Sequence, residues 1–176
     1  ITQCKNEIHN ILQRANIKLT SYLSDIYGLT GMALLEMFIN GEVITEETVL
    51  PKIQGRVKAT VDQLVEAMDG KLSIEDRFLL GQSLEHYRHL VNQVEEITAV
   101  IKQYVLERFE REYNLLIELP GVSAIVACVI LSEIGPNVEA FQSQGNLASW
   151  AGVCPGSYES AGIKKSSHTT QGNKYL

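Results

Sequence analysis

The residues best equipped for chemistry lie in one stretch, CPGSYESAGIKKSSHTTQGNKYL at 154–176. Ser157, Ser160, Ser166 and Ser167 offer hydroxyls, Lys164, Lys165 and Lys174 offer cations, and His168 adds an imidazole. A serine hydroxyl attacks once a base or a metal activates it. Lysines hold anions such as a phosphate backbone. The same composition also describes a solvated loop, because exposed turns are built from Ser, Gly, Asn and Pro. The residues alone leave three roles open: an unstructured terminus, a basic contact surface, or a catalytic segment.

Other chemistry is sparse. Cys4, Cys128 and Cys154 are widely spaced, with no CxxC pair and no Cys/His cluster. Neither a disulfide framework nor a zinc site is indicated, and a reducing cytoplasm is the simplest compartment. His9, His86 and His89 fall in helical segments without further ligands and read as solvated or packed. Glu133 and Glu139 stand at and beyond a helix end and do not make a metal site.

Composition bounds the architecture. The chain has 176 residues, 45% of them hydrophobic, and 4 prolines, which suits one or two small globular domains. It starts at Ile1 and stops inside a polar motif, so both ends read as cuts in a longer protein. A net charge of −6 argues at first against nucleic acid. Its distribution qualifies that: residues 72–118 are predominantly acidic, whereas 155–176 set three lysines against Glu159. An acidic scaffold with an anion-contacting tip fits this pattern. No signal peptide is visible, and the apolar run AIVACVIL at 124–131 is far too short to span a bilayer.

The elements that must position the polar segment are helical. Ile1, Cys4, Ile8, Ile11 and Leu12 form one apolar stripe, and Val57, Val61, Leu64, Val65 and Met68 form another, closed by Gly70. Thr30 is positioned to cap GMALLEMFIN, which ends at Gly41. These stripes read as core faces of packed helices. Ser73 and Asp76 then open the longest element, with no Gly or Pro from Gln82 to Leu119. Leu80, Leu84, Tyr87, Val91, Val94, Thr98, Ile101 and Val105 alternate in steps of 4 and 3, a heptad seam. A helix of about 45 residues reaches roughly 70 Å and cannot bury that seam alone. Its partner is either the preceding helices or a second copy of the chain.

Pro120 ends that helix. LPGVSAIVACVILSEIG at 119–135 gives a Pro-Gly turn, a capping Ser123 and an apolar helix, the pattern of a helix-hairpin-helix. Backbone N–H groups at Gly121, Val122 and Ser123 would there meet a phosphate. An ordinary pair of antiparallel helices fits the stretch equally well. Beyond it, FQSQGNLASWAGV at 141–153 reads as a short helix whose Trp150 anchors a small core. The expected architecture is all-α: a helical bundle with a long coiled-coil helix over 1–118, then a small helix-hairpin-helix-like domain over 119–176.

Taken in order, LPGVS-A-x-V-A-x-x-I-L-S-E-I-G, F-x-S-x-x-x-L-A-S-W-A-G-V-x-P-G, Y-E-S-A-G-x-K-K-S and T-x-x-G-N-x-Y-L resemble one family. They look like the C-terminal transposase domain of the bacterial insertion-sequence-110 group, DEDD-type transposases also described as bridge-RNA-guided recombinases. The resemblance covers 119–176, and the helical region before it is of the expected type. It implies an N-terminal RuvC-like domain, absent from this chain, whose carboxylate tetrad binds Mg2+. It also implies DNA as substrate, a guide RNA as a possible partner, and a homo-oligomer joined through the coiled coil.

By the same resemblance, the family's nucleophilic serine falls on Ser160 in Tyr158-Glu159-Ser160-Ala161-Gly162, with Ser166 as the reserve. The surrounding residues suit the assignment. Gly162 permits close backbone approach, and Lys164 and Lys165 supply positive charge near a crowded phosphorane. His168 is the candidate base nearby, although activation by the absent domain's metal fits the family better. Lys164, Lys165 and Lys174 are then backbone contacts. The isolated chain is expected to be inactive, with little fixed structure over its polar end.

Overall fold

A computed structural model describes the chain except Asn137, 155–157, Ala161, Ser167, Thr170 and Leu176. For Val138, Tyr158–Ser160 and Ile163–Ser166 it describes the backbone alone. The chain divides into two compact units, Ile1–Val94 and Glu95–Leu176.

The first unit contains α1 (Thr2–Arg14), α2 (Leu19–Tyr22), α3 (Leu29–Asn40), α4 (Glu46–Val49), α5 (Val61–Ala67) and the opening turns of α6 (Ile74–Ile117). The α1 stripe is buried at Cys4, Ile8, Ile11 and Leu12, as its spacing requires. Of these, Ile8, Ile11 and Leu12 share one core with Leu34, Leu35 and Met37 of α3, Leu64 of α5, and Leu80 and Leu84 of α6. Ser73 caps α6 by accepting the Asp76 N–H at 3.0 Å.

Thr30 does something else than expected. Gly28 is the N-cap of α3, and Thr30 lies inside the helix, buried. Its hydroxyl donates to the Gln54 carbonyl at 2.9 Å and accepts the Gln54 N–H at 2.8 Å. The threonine therefore pins a loop to the helix, a long-range role that local spacing does not encode.

Thr60 and Gln63 form a reciprocal capping box on α5: Gln63 N–H to Thr60 Oγ1 at 3.3 Å, and Thr60 N–H to Gln63 Oε1 at 3.0 Å. Thr60→Ala is expected to lower stability by about 1 kcal/mol. Chemical denaturation of the first unit checks it, and an unchanged midpoint would mean that the cap contributes nothing.

The second unit holds the rest of α6, then α7 (Ala124–Ile134), a 3-10 turn at Val138–Ala140, α8 (Gln144–Ala151), β1 (Tyr158–Ser160) and β2 (Ile163–Ser166). Its core is small: Val105 and Tyr113 of α6 against Ala127, Cys128 and Leu131 of α7, flanked by Leu106, Phe109, Leu116 and Val122. The all-α reading holds, with one short antiparallel hairpin added where little fixed structure was expected. A second difference is a break in α6 at Phe109 (φ −137°, ψ 34°). No Gly or Pro marks it; Phe109 packs there against the residues of the small core.

The heptad seam divides. Leu80 and Leu84 are buried in the first unit's core, and Val105 in the second's, whereas Val94 and Ile101 between them are exposed.

Candidate functional site

The turn between α6 and α7 follows from its residues. Pro120 cannot continue a helix. Gly121 takes φ +87°, a conformation that costs L side chains but not glycine. The Val122 N–H donates to the Leu119 carbonyl at 3.1 Å, closing the turn. Ser123 caps α7, its hydroxyl accepting the Val126 N–H at 3.3 Å. Gly121 and Ser123 are exposed, and Val122 is half-buried against the small core. Of the three expected phosphate contacts, the N–H of Val122 is thus already engaged within the turn.

The hairpin carries the serine and lysine candidates. Strands β1 and β2 pair antiparallel, Tyr158 opposite Ser166, Glu159 opposite Lys164 and Ser160 opposite Ile163, with a bulge between Tyr158 and Glu159. Gly162 turns the chain with φ +76°. Ser160 is therefore the last residue of β1 before the turn, and Lys164 and Lys165 run back along β2. The side chains of Ser160, Lys164, Lys165 and Ser166 lie outside the described residues. His168 is described and exposed just beyond β2.

What holds the end of the chain against the rest of the unit is a set of contacts that the sequence did not announce. Gly172 sits against the turn that ends α8: a Cβ placed on it would lie 2.2 Å from the Gly152 nitrogen and 2.4 Å from the Ala151 carbonyl carbon. Beside it, the Asn173 N–H donates to the Trp150 carbonyl at 2.8 Å. The Asn173 Nδ2 donates to Glu133 Oε2 at 2.7 Å, and its Oδ1 accepts the Tyr175 N–H at 2.8 Å. Asn173 thus joins the end of α7, the end of α8 and the chain beyond the hairpin. Glu133 is an acceptor in this clamp. Trp150 is half-buried with its ring 5.4 Å from that of Phe141. Lys174 is exposed, its Nζ 4.7 Å above the Tyr175 ring.

Among the described residues, no group of three His, Cys, Asp or Glu could hold a metal ion. The Cys128 thiol is pushed up by burial, with Lys102 opposing, so it stays protonated at neutral pH and is a poor nucleophile.

The segment that begins near the end of α6 and runs through the turn, the hairpin and the clamp can be compared with known proteins. Residues 113–176 match the Transposase IS116/IS110/IS902 family. The ordered motifs from LPGVS onward lie within that match. No curated protein and no solved structure matches the chain. The matched segment contains α7, α8, both strands and the Glu133–Asn173 clamp. Among the described residues, no helix is long and apolar enough to cross a membrane.

Proposed function

We propose that this chain is the coiled-coil and serine-bearing part of a DNA transposase that works in the cytoplasm on the ends of an insertion sequence. The observation that carries the reading is the family match over 113–176, with Ser160, Lys164 and Lys165 inside it. Ser160 is the nucleophile. Its oxygen bonds to phosphorus as the bond to a DNA hydroxyl breaks, giving a phosphoserine link that is reversed on rejoining. Its place at the end of β1, ahead of the turn at Gly162, supports this role, because a hairpin tip can approach a phosphate closely. Mg2+ belongs to a carboxylate domain elsewhere in the full-length protein, as the resemblance implies. A guide RNA is a possible partner on the same ground.

Strand exchange by the full-length protein tests the assignment. Loss with Ser160→Ala and retention with Ser166→Ala support it, the reverse moves the nucleophile to Ser166, and retention in both overturns it.

A second reading makes the segment a non-catalytic nucleic-acid module. It is favoured by the exposed Gly121 turn and by Lys164, Lys165 and Lys174 at the same end of the chain. Duplex binding by this chain should then fall steeply with salt. Replacing Lys164 and Lys165 by Gln should reduce the salt slope by about 2, equally for all sequences. A fluorescence titration across salt concentrations reads this, and an unchanged slope removes both lysines from the interface.

A further inference from the structure

The first unit carries a cationic cleft, away from the segment matched at 113–176. The loop that leaves Gln54 and the stretch from α2 to the start of α3 enclose about 440 Å³. Thr30 fixes the base of that loop by its two bonds to Gln54. Further on, the loop alternates. Val57 and Ala59 pack against the core, while Arg56 and Lys58 are exposed and line the cleft. Thr20, Ser21 and Ser24 line it as well, all exposed, with hydroxyls to offer. A second cleft of about 330 Å³ shares Thr20 and Ser24 with the first and adds Lys5 of α1.

Charge says what can fill these adjoining clefts. Arg14, Lys52 and Arg88 of the first unit are each paired with an acid. Among the described residues, Arg56, Lys58 and Lys5 are in no ion pair. Lys5 rests instead 4.6 Å above the Tyr27 ring. Among the same residues, Asp25 is the only acid lining either cleft, and its Oδ1 accepts the Tyr27 N–H at 2.9 Å. Three cations against one carboxylate reverse the sign of a chain whose net charge is −6. A cleft of that sign draws anions. Cations spread along it, with hydroxyl donors between them, suit a ligand whose charge repeats better than a single ion. A duplex is a stiff convex rod and meets only the rim of such a cleft, whereas one strand can lay its phosphates inside.

We infer that the first unit holds a single-stranded polynucleotide by its phosphodiester backbone, from Arg56 and Lys58 past Thr20 and Ser24 to Lys5. All of these residues lie outside 113–176, so this contact stands without the transposase reading and without the lysines of the hairpin.

Fluorescence anisotropy with a labelled oligothymidylate tests it, in the chain carrying Lys164→Gln and Lys165→Gln so that the hairpin lysines contribute nothing. Binding is expected to persist there. Adding Arg56→Gln and Lys58→Gln should weaken it about tenfold and lower the salt slope by about 1.4, the share of two single-strand contacts. Both positions are exposed, so circular dichroism and the unfolding midpoint should not move. Exchanging charge for charge, Arg56→Lys with Lys58→Arg, should keep the slope. Loss of binding already in the hairpin variant, or an unchanged slope when both charges are removed, overturns the inference. So does an equal loss on a duplex of the same length, or displacement of the oligomer by inorganic phosphate beyond that by chloride at matched ionic strength. Strand exchange by the full-length protein reads Ser160 separately, so either proposal can fail alone.

Discussion

Ser160→Ala in the full-length protein is expected to reduce strand exchange by about a thousandfold or more, and to remove any covalent protein–DNA species. Alanine offers no atom to bond phosphorus, so the intermediate cannot form, whatever the lysines and an activating metal still contribute. Residual background would be hydrolysis by water, which breaks the strand but conserves nothing for rejoining. The substitution removes a single oxygen next to a turn whose shape depends on Gly162 at φ +76°. Folding and DNA affinity should therefore stay within about twofold, since a surface change of this kind is near neutral. A denaturing gel for the covalent adduct, run beside a binding titration, separates the two effects. A persistent adduct would remove Ser160 from the role, and a matched loss of binding would make it a contact instead.

Gly172→Ala is expected to detach the end of the chain from the second unit. Its Cβ would lie 2.2 Å and 2.3 Å from the nitrogen and Cα of Gly152. Those are backbone atoms on the turn closing α8, itself held at φ +76°, so no flexible side chain can swing away. The clash forces the two segments apart and takes with it the Asn173–Trp150 and Asn173–Glu133 bonds. Overpacking of this kind costs roughly 1–3 kcal/mol. For a few bonds joining a terminal segment, that is enough to favour the detached state. Limited proteolysis should cut within 154–176 far faster than in the unaltered chain, while the first unit, with its separate core, resists as before. Equal cleavage rates would show that the close approach has another solution. Activity should fall too, so a loss of exchange with accelerated proteolysis separates this clamp from Ser160, whose alanine variant should lose exchange alone.

Much of the fold was legible because it is written locally. Ser73 and Ser123 cap the helices they precede, Gly41 and Gly152 end theirs in the left-handed conformation, and the α1 stripe is buried from Cys4 to Leu12, with Ile1 exposed. Each signal needs only neighbours within one turn. Thr30 shows the limit: a threonine near a helix start looks like a cap, and its bond to Gln54, 24 residues away, is a tertiary choice. The break at Phe109 escaped because kinks are read from Pro and Gly, and neither stands there. The hairpin escaped because Tyr158–Ser166 alternates too weakly, with a bulge, to separate strand from loop. Of the candidate site, the order of motifs named the segment. It did not show that Gly172 and Asn173 brace it through Glu133, because a close backbone approach leaves no periodicity behind.

The two cores also lie one after the other along the chain, Ile8 to Leu84 and then Val105 to Leu131, with no residue in common. A ribosome delivers the first set complete before any of the second has been made, so the first unit can close while the chain is still growing. The serine-bearing hairpin cannot be fastened so early, for it waits on residue 173. Synthesis order thus withholds the braced form of this segment until the chain has passed its own clamp.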